Sequence, residues 1–189
     1  MQQSSKKRPI YSTASVDQTA RMKTFAEVAF TPAVQAAQER YGARMARKGV
    51  APEGLGPAEG EFLGAADSFY LATVSETGWP YIQHRGGPRG FLKVIAPTRI
   101  AFADFRGNRQ YVSVGNASRD DRASMFVMDY VARRRLKLLG RLGFHDQDAE
   151  LARIVALPDY PARVERIAVF DVEAFDWNCP QHITPRCSR

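Results

Sequence analysis

Between Ser68 and Phe105 the sequence alternates short β-rich runs with turn-forming residues, and this spacing limits the possible folds more than any other feature. The runs are SFYLATV, WPYIQHR, FLKVI and RIAFADF, and the segments between them include SETG, GGPRG and APT. None of these segments is long enough for the helix that a parallel crossover needs. The spacing therefore predicts an antiparallel meander of four strands.

The second half of the chain predicts three more strands. A short helix and loop in RGNRQYVSVGNASRDDR precede ASMFVMDY and RRLKLLGRLGFH, and the last strand is RVERIAVFDVEAFDW. Six or seven strands with helices at the margins indicate a mainly β fold with flanking helices (α+β). We expect a small closed antiparallel barrel rather than a doubly wound sheet.

Three further helices are predicted around these strands. Thr31 and Pro32 fit an N-cap followed by proline at the first helical position. That helix is expected to end near Gly49, with an apolar stripe of Val34, Ala37, Tyr41 and Met45. A short helix is expected over residues 57–66. The third lies in DQDAELARIVAL, with Asp146 as its N-cap and Leu151, Ile154 and Leu157 along one side.

The length of 189 residues fits one domain of ordinary size with additions. Residues 1–22 are polar and aperiodic and are expected to form an N-terminal arm. Residues 23–58 are expected to form a helical extension, and residues 59–189 the barrel domain.

The formal net charge is +7, from 27 Lys and Arg against 20 Asp and Glu, which suits an anionic partner. The basic N-terminal residues are not followed by an apolar h-region, and no window reaches the ~18 apolar residues of a spanning helix. We therefore expect a cytoplasmic protein without membrane attachment. Cys179 and Cys187 are expected to be reduced thiols.

Cationic residues cluster at the ends of the predicted strands and in one loop. In a meander the ends of alternate strands share a rim, so these groups can converge on one phosphate. Solvated strand ends are the alternative, since edge cations also prevent strands from aggregating. The residues concerned are Arg85, Arg89, Lys93, Arg106, Arg109, Arg119, Arg122, Arg133, Arg134, Arg135 and Lys137.

The order of the segments FYLATVSETGWPYIQHRGG, FLKV, RIAFADFRGNRQYVSVGN, DDRASMFVMDY and RRRLKLLGRLGFHD resembles that of the pyridoxamine 5'-phosphate oxidase-like family. The resemblance covers about residues 60 to 180. It implies an antiparallel split β-barrel that binds FMN in a cleft of a homodimer, with residues of both chains around the cofactor. It also implies a small-molecule substrate.

The resemblance carries over to particular residues. Basic residues at a strand end hold the phosphate in the family, and a polar or basic group follows the next strand. Arg135 stands where a glutamine often faces the isoalloxazine. Neighbouring strand residues face opposite sides, so either His84 or Arg85 faces the cleft, and we expect Arg85. The implied FMN-binding residues are Gln83, Arg85, Lys93, Asp104, Asn108, Arg109, Gln110, Arg135, Lys137, Trp177 and Asn178.

The C-terminal FDWNCPQHITPRCSR differs from the terminal strand of the oxidase itself, so oxidation of pyridoxamine phosphate is not the expected reaction. Trp177 is either a residue beside the flavin or an ordinary core aromatic. Cys179, His182 and Cys187 fit no strong zinc pattern, and no fourth ligand is evident. His145 is expected to be a surface or cap residue.

The expected function is that of an FMN-dependent oxidoreductase that acts on a small molecule, with a nicotinamide nucleotide or oxygen as redox partner. One alternative is a protein that binds flavin or haem only for storage or sensing. Another is a basic nucleic-acid-binding barrel, which the interleaved aromatics and arginines of FADFRGNRQY would suit.

Overall fold

The computed structural model describes residues 21–43, 49–146, 148–177 and 181–186. All seven predicted strands are present. They are β1 (Ser68–Val74), β2 (Pro80–Gly86), β3 (Lys93–Ala96), β4 (Arg99–Phe105), β5 (Arg122–Asp129), β6 (Arg134–His145) and β7 (Val164–Trp177). The described helices are α1 (Phe25–Ala29), α2 (Pro32–Arg40), α3 (Pro57–Ala65), α4 (Val112–Ala117) and α5 (Ala149–Val155).

The strands form one sheet in the order β2-β1-β5-β6-β7-β4-β3, and every pairing is antiparallel. The prediction that the first four strands form a meander is wrong, because β2 and β3 do not pair. They form the two opposite edges of the sheet. The link between them does not turn back, since it buries Phe91 and Leu92 in the core. The mainly β class and the antiparallel split barrel are confirmed, but the sheet is not closed by hydrogen bonds between its edge strands.

Strong curvature of the sheet creates an interior for the main core. The ring of Phe69 on β1 lies 5.1 Å, between centroids, from that of Phe102 on β4, although three strands separate β1 and β4 in the sheet. Alternate residues of β1 and β6 are buried, as expected for strands with one face toward a core. These apolar faces hold the sheet in its curled shape and bring β1 close to β4.

Gly140 is required where β6 and β7 pair across an irregularity. The register shifts between Leu139 and Gly140, and a Cβ atom added at Gly140 would lie 2.1 Å from the carbonyl oxygen of Asp171. Only glycine allows the two backbones to approach so closely at this bulge.

A second, smaller core lies on the outer face of β4 and β7, where α5 packs. Val155 is buried there against Ala103 and Ile167, and Leu151 packs beside them. The N-cap of α5 is Asp148, not Asp146 as predicted, because the Asp148 carboxylate accepts hydrogen bonds from the amides of Glu150 and Leu151. Ile154, predicted on the packed face, is 40% exposed.

The segment before the barrel is joined to β7. The amide of Lys23 donates to the carbonyl of Glu173 at 2.8 Å, and Met22 is buried in the main core. Helix α2 begins at Pro32 with Thr31 as its N-cap, as predicted, but it ends at Arg40 and buries no residue.

Met45, from the apolar stripe predicted for α2, lies outside the described residues. Within the described parts of the chain, no helix combines the length and hydropathy needed to cross a lipid bilayer.

Candidate functional site

A cleft with an empty volume of about 340 Å³ opens between β2, the end of β4 and the start of α4. This volume includes the open solvent at the mouth of the cleft. Its lining is polar and charged in most positions. The lining residues are Gln83, Arg85, Asp104, Phe105, Gly107, Asn108, Arg109, Tyr111, Val112, Ser113, Val114 and Glu165.

The alternation of side chains along β2 places Arg85 and Gln83 on the inner face of the sheet, at one end of the barrel. Arg85 is the cross-strand partner of buried Phe69, and Gln83 is the partner of buried Leu71. Paired residues share a face of the sheet, so both polar side chains continue the inner face of β2. His84 lies on the opposite face, where its ring meets Tyr70 edge-on with centroids 5.7 Å apart.

Arg85 reaches across the curled sheet to Asp104 on β4. Its Nη1 donates a hydrogen bond to the Asp104 carboxylate, and their side chains are 17% and 6% exposed. The Nε atom of Arg85 is buried and makes no hydrogen bond to any described residue. A lining arginine with a donor left over is suited to an anionic ligand.

Behind Asp104 lies a second arginine, Arg166 of β7. Its Nε is 3.3 Å from Asp104 Oδ2, close enough for an ion pair although not aligned as a hydrogen bond. Its Nη2 donates to Glu165 Oε2 at 2.9 Å, and its guanidinium lies 4.7 Å from the ring centroid of Tyr111. Glu165 also lies 3.8 Å from Arg106. Arginine and carboxylate groups thus alternate along one wall of the cleft.

Burial raises the pKa of Asp104, and the guanidinium groups of Arg85 and Arg166 oppose this rise. A carboxyl group removed from water in this way needs its two cationic neighbours in order to remain ionised.

The loop after β4 carries Arg109 to the mouth of the cleft in an uncommon backbone conformation. Arg109 has φ 60° and Tyr111 has φ 55°, both left-handed, a conformation that costs most non-glycine residues energy. Side-chain contacts hold the loop, because Arg109 Nε donates to the Tyr111 hydroxyl at 3.2 Å. Asn108 Oδ1 accepts from the amide of Gln110 at 3.1 Å. Backbone strain of this kind is often found at ligand-binding loops.

Helix α4 forms the floor beside this loop. The Ser113 hydroxyl donates to Gln83 Oε1 at 3.2 Å, which orients the amide that lines the cleft. Val114 and Ala117 pack against the main core, so the helix seals this end of the barrel.

The cleft brings together five of the eleven implied FMN-binding residues: Gln83, Arg85, Asp104, Asn108 and Arg109. Gln110 is joined to Asn108 by a side-chain hydrogen bond of 3.2 Å. Lys93 begins β3 and does not line this cleft. Asn178 lies outside the described residues, as do Cys179 and Cys187.

The other three implied residues lie elsewhere in the chain. Lys137 pairs with Asp176 at 2.8 Å, and its ammonium lies 4.1 Å from the ring centroid of Phe25 in α1. Arg135 lies two residues before Lys137 and on the same, outer face of β6. Trp177 contacts Phe62 and Arg134, and its Nε1 donates to Glu59 at 2.7 Å.

Four contributors to the site were missed from the sequence: Tyr111, Ser113, Glu165 and Arg166. Arg166 had a recognisable signal, because it shares a strand face with the apolar Ala168 and Phe170. An arginine on a core-facing position needs a buried partner, which would have pointed to Asp104 or another carboxylate. Tyr111 and Ser113 had no comparable signal, because their positions depend on the loop conformation.

Solved structures with the same fold support this architecture. A candidate pyridoxamine 5'-phosphate oxidase from Lactobacillus delbrueckii superposes with a TM-score of 0.51 at 16% identity, and the match covers 67% of this chain and 97% of that protein. A variant of HupZ from Group A Streptococcus superposes with a TM-score of 0.50 at 10% identity over 66% of this chain and 99% of its own length. No curated protein sequence matches the chain.

The sequence profile described as pyridoxamine 5'-phosphate oxidase matches residues 55–176, which is more than half of the chain. This range contains helix α4, every lining residue of the cleft and the whole curled sheet except Trp177, the last residue of β7. The sequence match therefore shows that the protein belongs to the pyridoxamine 5'-phosphate oxidase family, and its fold agrees with that assignment.

Proposed function

We propose that this protein is an FMN-dependent oxidoreductase that acts on a small molecule, with a nicotinamide nucleotide or oxygen as its redox partner. Membership of the family supports flavin chemistry. The observation that carries the proposal is the position of Arg85, which lines the cleft with a buried Nε atom that has no hydrogen-bond partner among the described residues.

The charge of the site suits a phosphate monoester. Four arginines (Arg85, Arg106, Arg109 and Arg166) and two carboxylates (Asp104 and Glu165) line the cleft or contact its lining, which leaves two positive charges. A phosphate monoester carries a charge of about −1.5 to −2 at pH 7. Its binding would neutralise the site almost completely.

The residues present fit the phosphate and the polar chain of FMN. Arg85 and Arg109 supply guanidinium groups, and one guanidinium can donate two parallel hydrogen bonds to oxygens of the same phosphate. Gln83, Asn108 and Ser113 supply amide and hydroxyl groups for hydroxyls of the ligand. When bound, FMN supplies the centre that accepts and donates electrons. The protein residues bind it and orient it.

A homodimer accounts for the residues that lie away from the cleft. Trp177 follows Arg166 by eleven residues along β7, which corresponds to roughly 35 Å of extended strand. We infer that Arg135, Lys137 and Trp177 contact FMN only across a subunit interface, in the cleft of the partner. Sedimentation equilibrium should then give a dimer, whereas a monomer that binds FMN fully would contradict this part of the proposal.

The proposal is tested by the visible spectrum of the purified protein and by titration with FMN and riboflavin. A yellow protein that releases FMN, or that binds added FMN at least tenfold more tightly than riboflavin, supports it. A protein that binds neither flavin contradicts it. Anaerobic addition of NADH or NADPH to the FMN-bound protein then distinguishes an enzyme, whose flavin is bleached, from a protein that only binds the cofactor.

A further inference from the structure

We propose that Arg166 determines the preference of the cleft for phosphate by neutralising Asp104 from behind, so that Arg85 keeps its positive charge for the ligand. This inference rests on the proposed function, because it concerns how the same cleft binds FMN. Arg166 does not line the cleft and acts through Asp104 as a positioning residue.

Each oxygen of the Asp104 carboxylate faces a different arginine. Its Oδ1 accepts from Arg85 on the cleft side, and its Oδ2 lies 3.3 Å from Arg166. The side chain of Asp104 is 6% exposed and that of Arg166 is 10% exposed. Water therefore screens these charges poorly. The net charge of Arg85, Asp104 and Arg166 then determines how much positive charge is available to a ligand.

Glu165 and Arg106 are further charges close to this pair. Arg166 also donates to Glu165, but Glu165 is itself compensated by Arg106 at 3.8 Å and accepts from the Tyr111 hydroxyl at 3.4 Å. Without Arg166, Arg85 would be the one cationic contact of Asp104 among the described residues. The lining arginine would then be cancelled by its own carboxylate, and the cleft would lose one of its two net positive charges.

The test compares FMN with riboflavin, which lacks only the phosphate. In Arg166→Gln the preference for FMN should fall by about tenfold, the effect of one charge-assisted hydrogen bond. Riboflavin affinity should stay within about twofold, since it does not use the anion site. The double variant Asp104→Asn/Arg166→Gln removes both charges and should restore the preference. Arg166→Lys keeps the positive charge and should keep most of the preference for FMN.

A matched control exists on the same two strands. Arg99 of β4 pairs with Asp171 of β7 at 2.6 Å, in the same cross-strand relation as Asp104 and Arg166, but neither residue lines the cleft. Arg99→Gln should lower stability without changing the ratio of FMN to riboflavin affinity. Arg166→Gln and Arg99→Gln would then differ in ligand preference and not only in stability.

Two results would overturn the inference: an unchanged preference in Arg166→Gln, or a loss of preference that Asp104→Asn/Arg166→Gln does not restore. If Arg166→Gln fails to fold, the double variant decides alone, because a tenfold loss in it contradicts the mechanism. If the wild-type protein binds no flavin, the proposed function fails, and inorganic phosphate becomes the probe. Phosphate should then raise the melting temperature of the wild type but not of Arg166→Gln; equal responses would overturn the inference as well.

Discussion

The Nδ2 atom of Asn116 in α4 donates a hydrogen bond of 2.9 Å to the Thr73 hydroxyl at the end of β1, and both residues are buried. This contact fixes α4 against the barrel, and α4 in turn positions Ser113 beside Gln83. The floor of the cleft therefore depends on one buried polar pair.

Replacement of Asn116 by alanine should reduce the free energy of unfolding by about 1 to 3 kcal/mol, because the buried Thr73 hydroxyl loses its partner. Urea denaturation measures this change. Ser118→Ala is the control, since the Ser118 hydroxyl donates to the Gly115 carbonyl at the exposed end of the same helix. Equal stability of the two variants would contradict the role assigned to Asn116.

Alanine at Gly140 should destabilise the barrel by at least about 2 kcal/mol, since the added methyl group cannot fit against the Asp171 carbonyl without moving a strand. Gly143→Ala on the same strand is the matched control, because its nearest contact would be an ordinary 3.6 Å, to His145. Thermal denaturation of both variants measures the difference. A Gly140→Ala protein as stable as Gly143→Ala would show that the bulge tolerates a side chain.

Replacement of Arg109 by glycine should separate the effect of its charge from the effect of its backbone conformation. The left-handed conformation suits glycine, so stability should not fall, whereas FMN affinity should drop by about tenfold or more with the loss of a guanidinium. Arg133 is also left-handed, with φ 52°, and is absent from the cleft lining. Arg133→Gly should therefore leave FMN affinity unchanged, and flavin fluorescence titration compares the two variants.

Glu173 should contribute a pH-dependent part of the stability. Hydrogen bonding from Arg141, followed by Lys23, lowers the pKa of this carboxyl below its ordinary value of 4.5. A lowered pKa in the folded state means that the stabilisation is complete above about pH 4.5 and is lost as the pH falls through the folded pKa.

Glu173→Gln should therefore be less stable than the wild type by about 0.5 to 1 kcal/mol at pH 7, after allowance for solvent screening. Urea denaturation at pH 7 and pH 3 measures the difference, which should narrow at the lower pH. A difference that stays constant between these two pH values would exclude the ion pair as its cause.

Local sequence signals located the elements well, because their causes are local. Gly and Pro at the links and the β-rich runs between them place all seven strands, and Thr31 with Pro32 marks the start of α2. The N-cap of α5 was misplaced by two residues, since Asp146 and Asp148 are equally good caps in sequence. The backbone geometry selects Asp148.

The candidate site was predicted in part. Arg85 and Arg109 are two of the many basic residues at predicted strand and loop ends; the family resemblance selected them, and both line the cleft. Their relation to Arg166 could not be read from the sequence, because it depends on the pairing of β4 with β7 and on the curl that brings β2 toward β4.

The sequence by itself determined the mainly β class, the order of the strands along the chain and the excess of positive charge, since these depend on residue type and short-range spacing. Only the tertiary structure decided that β2 and β3 lie at opposite edges and that Asp104 is buried between two arginines. The physical reason is that burial of Phe91 and Leu92 carries the chain across the barrel, and contacts between distant strands then determine which charges meet.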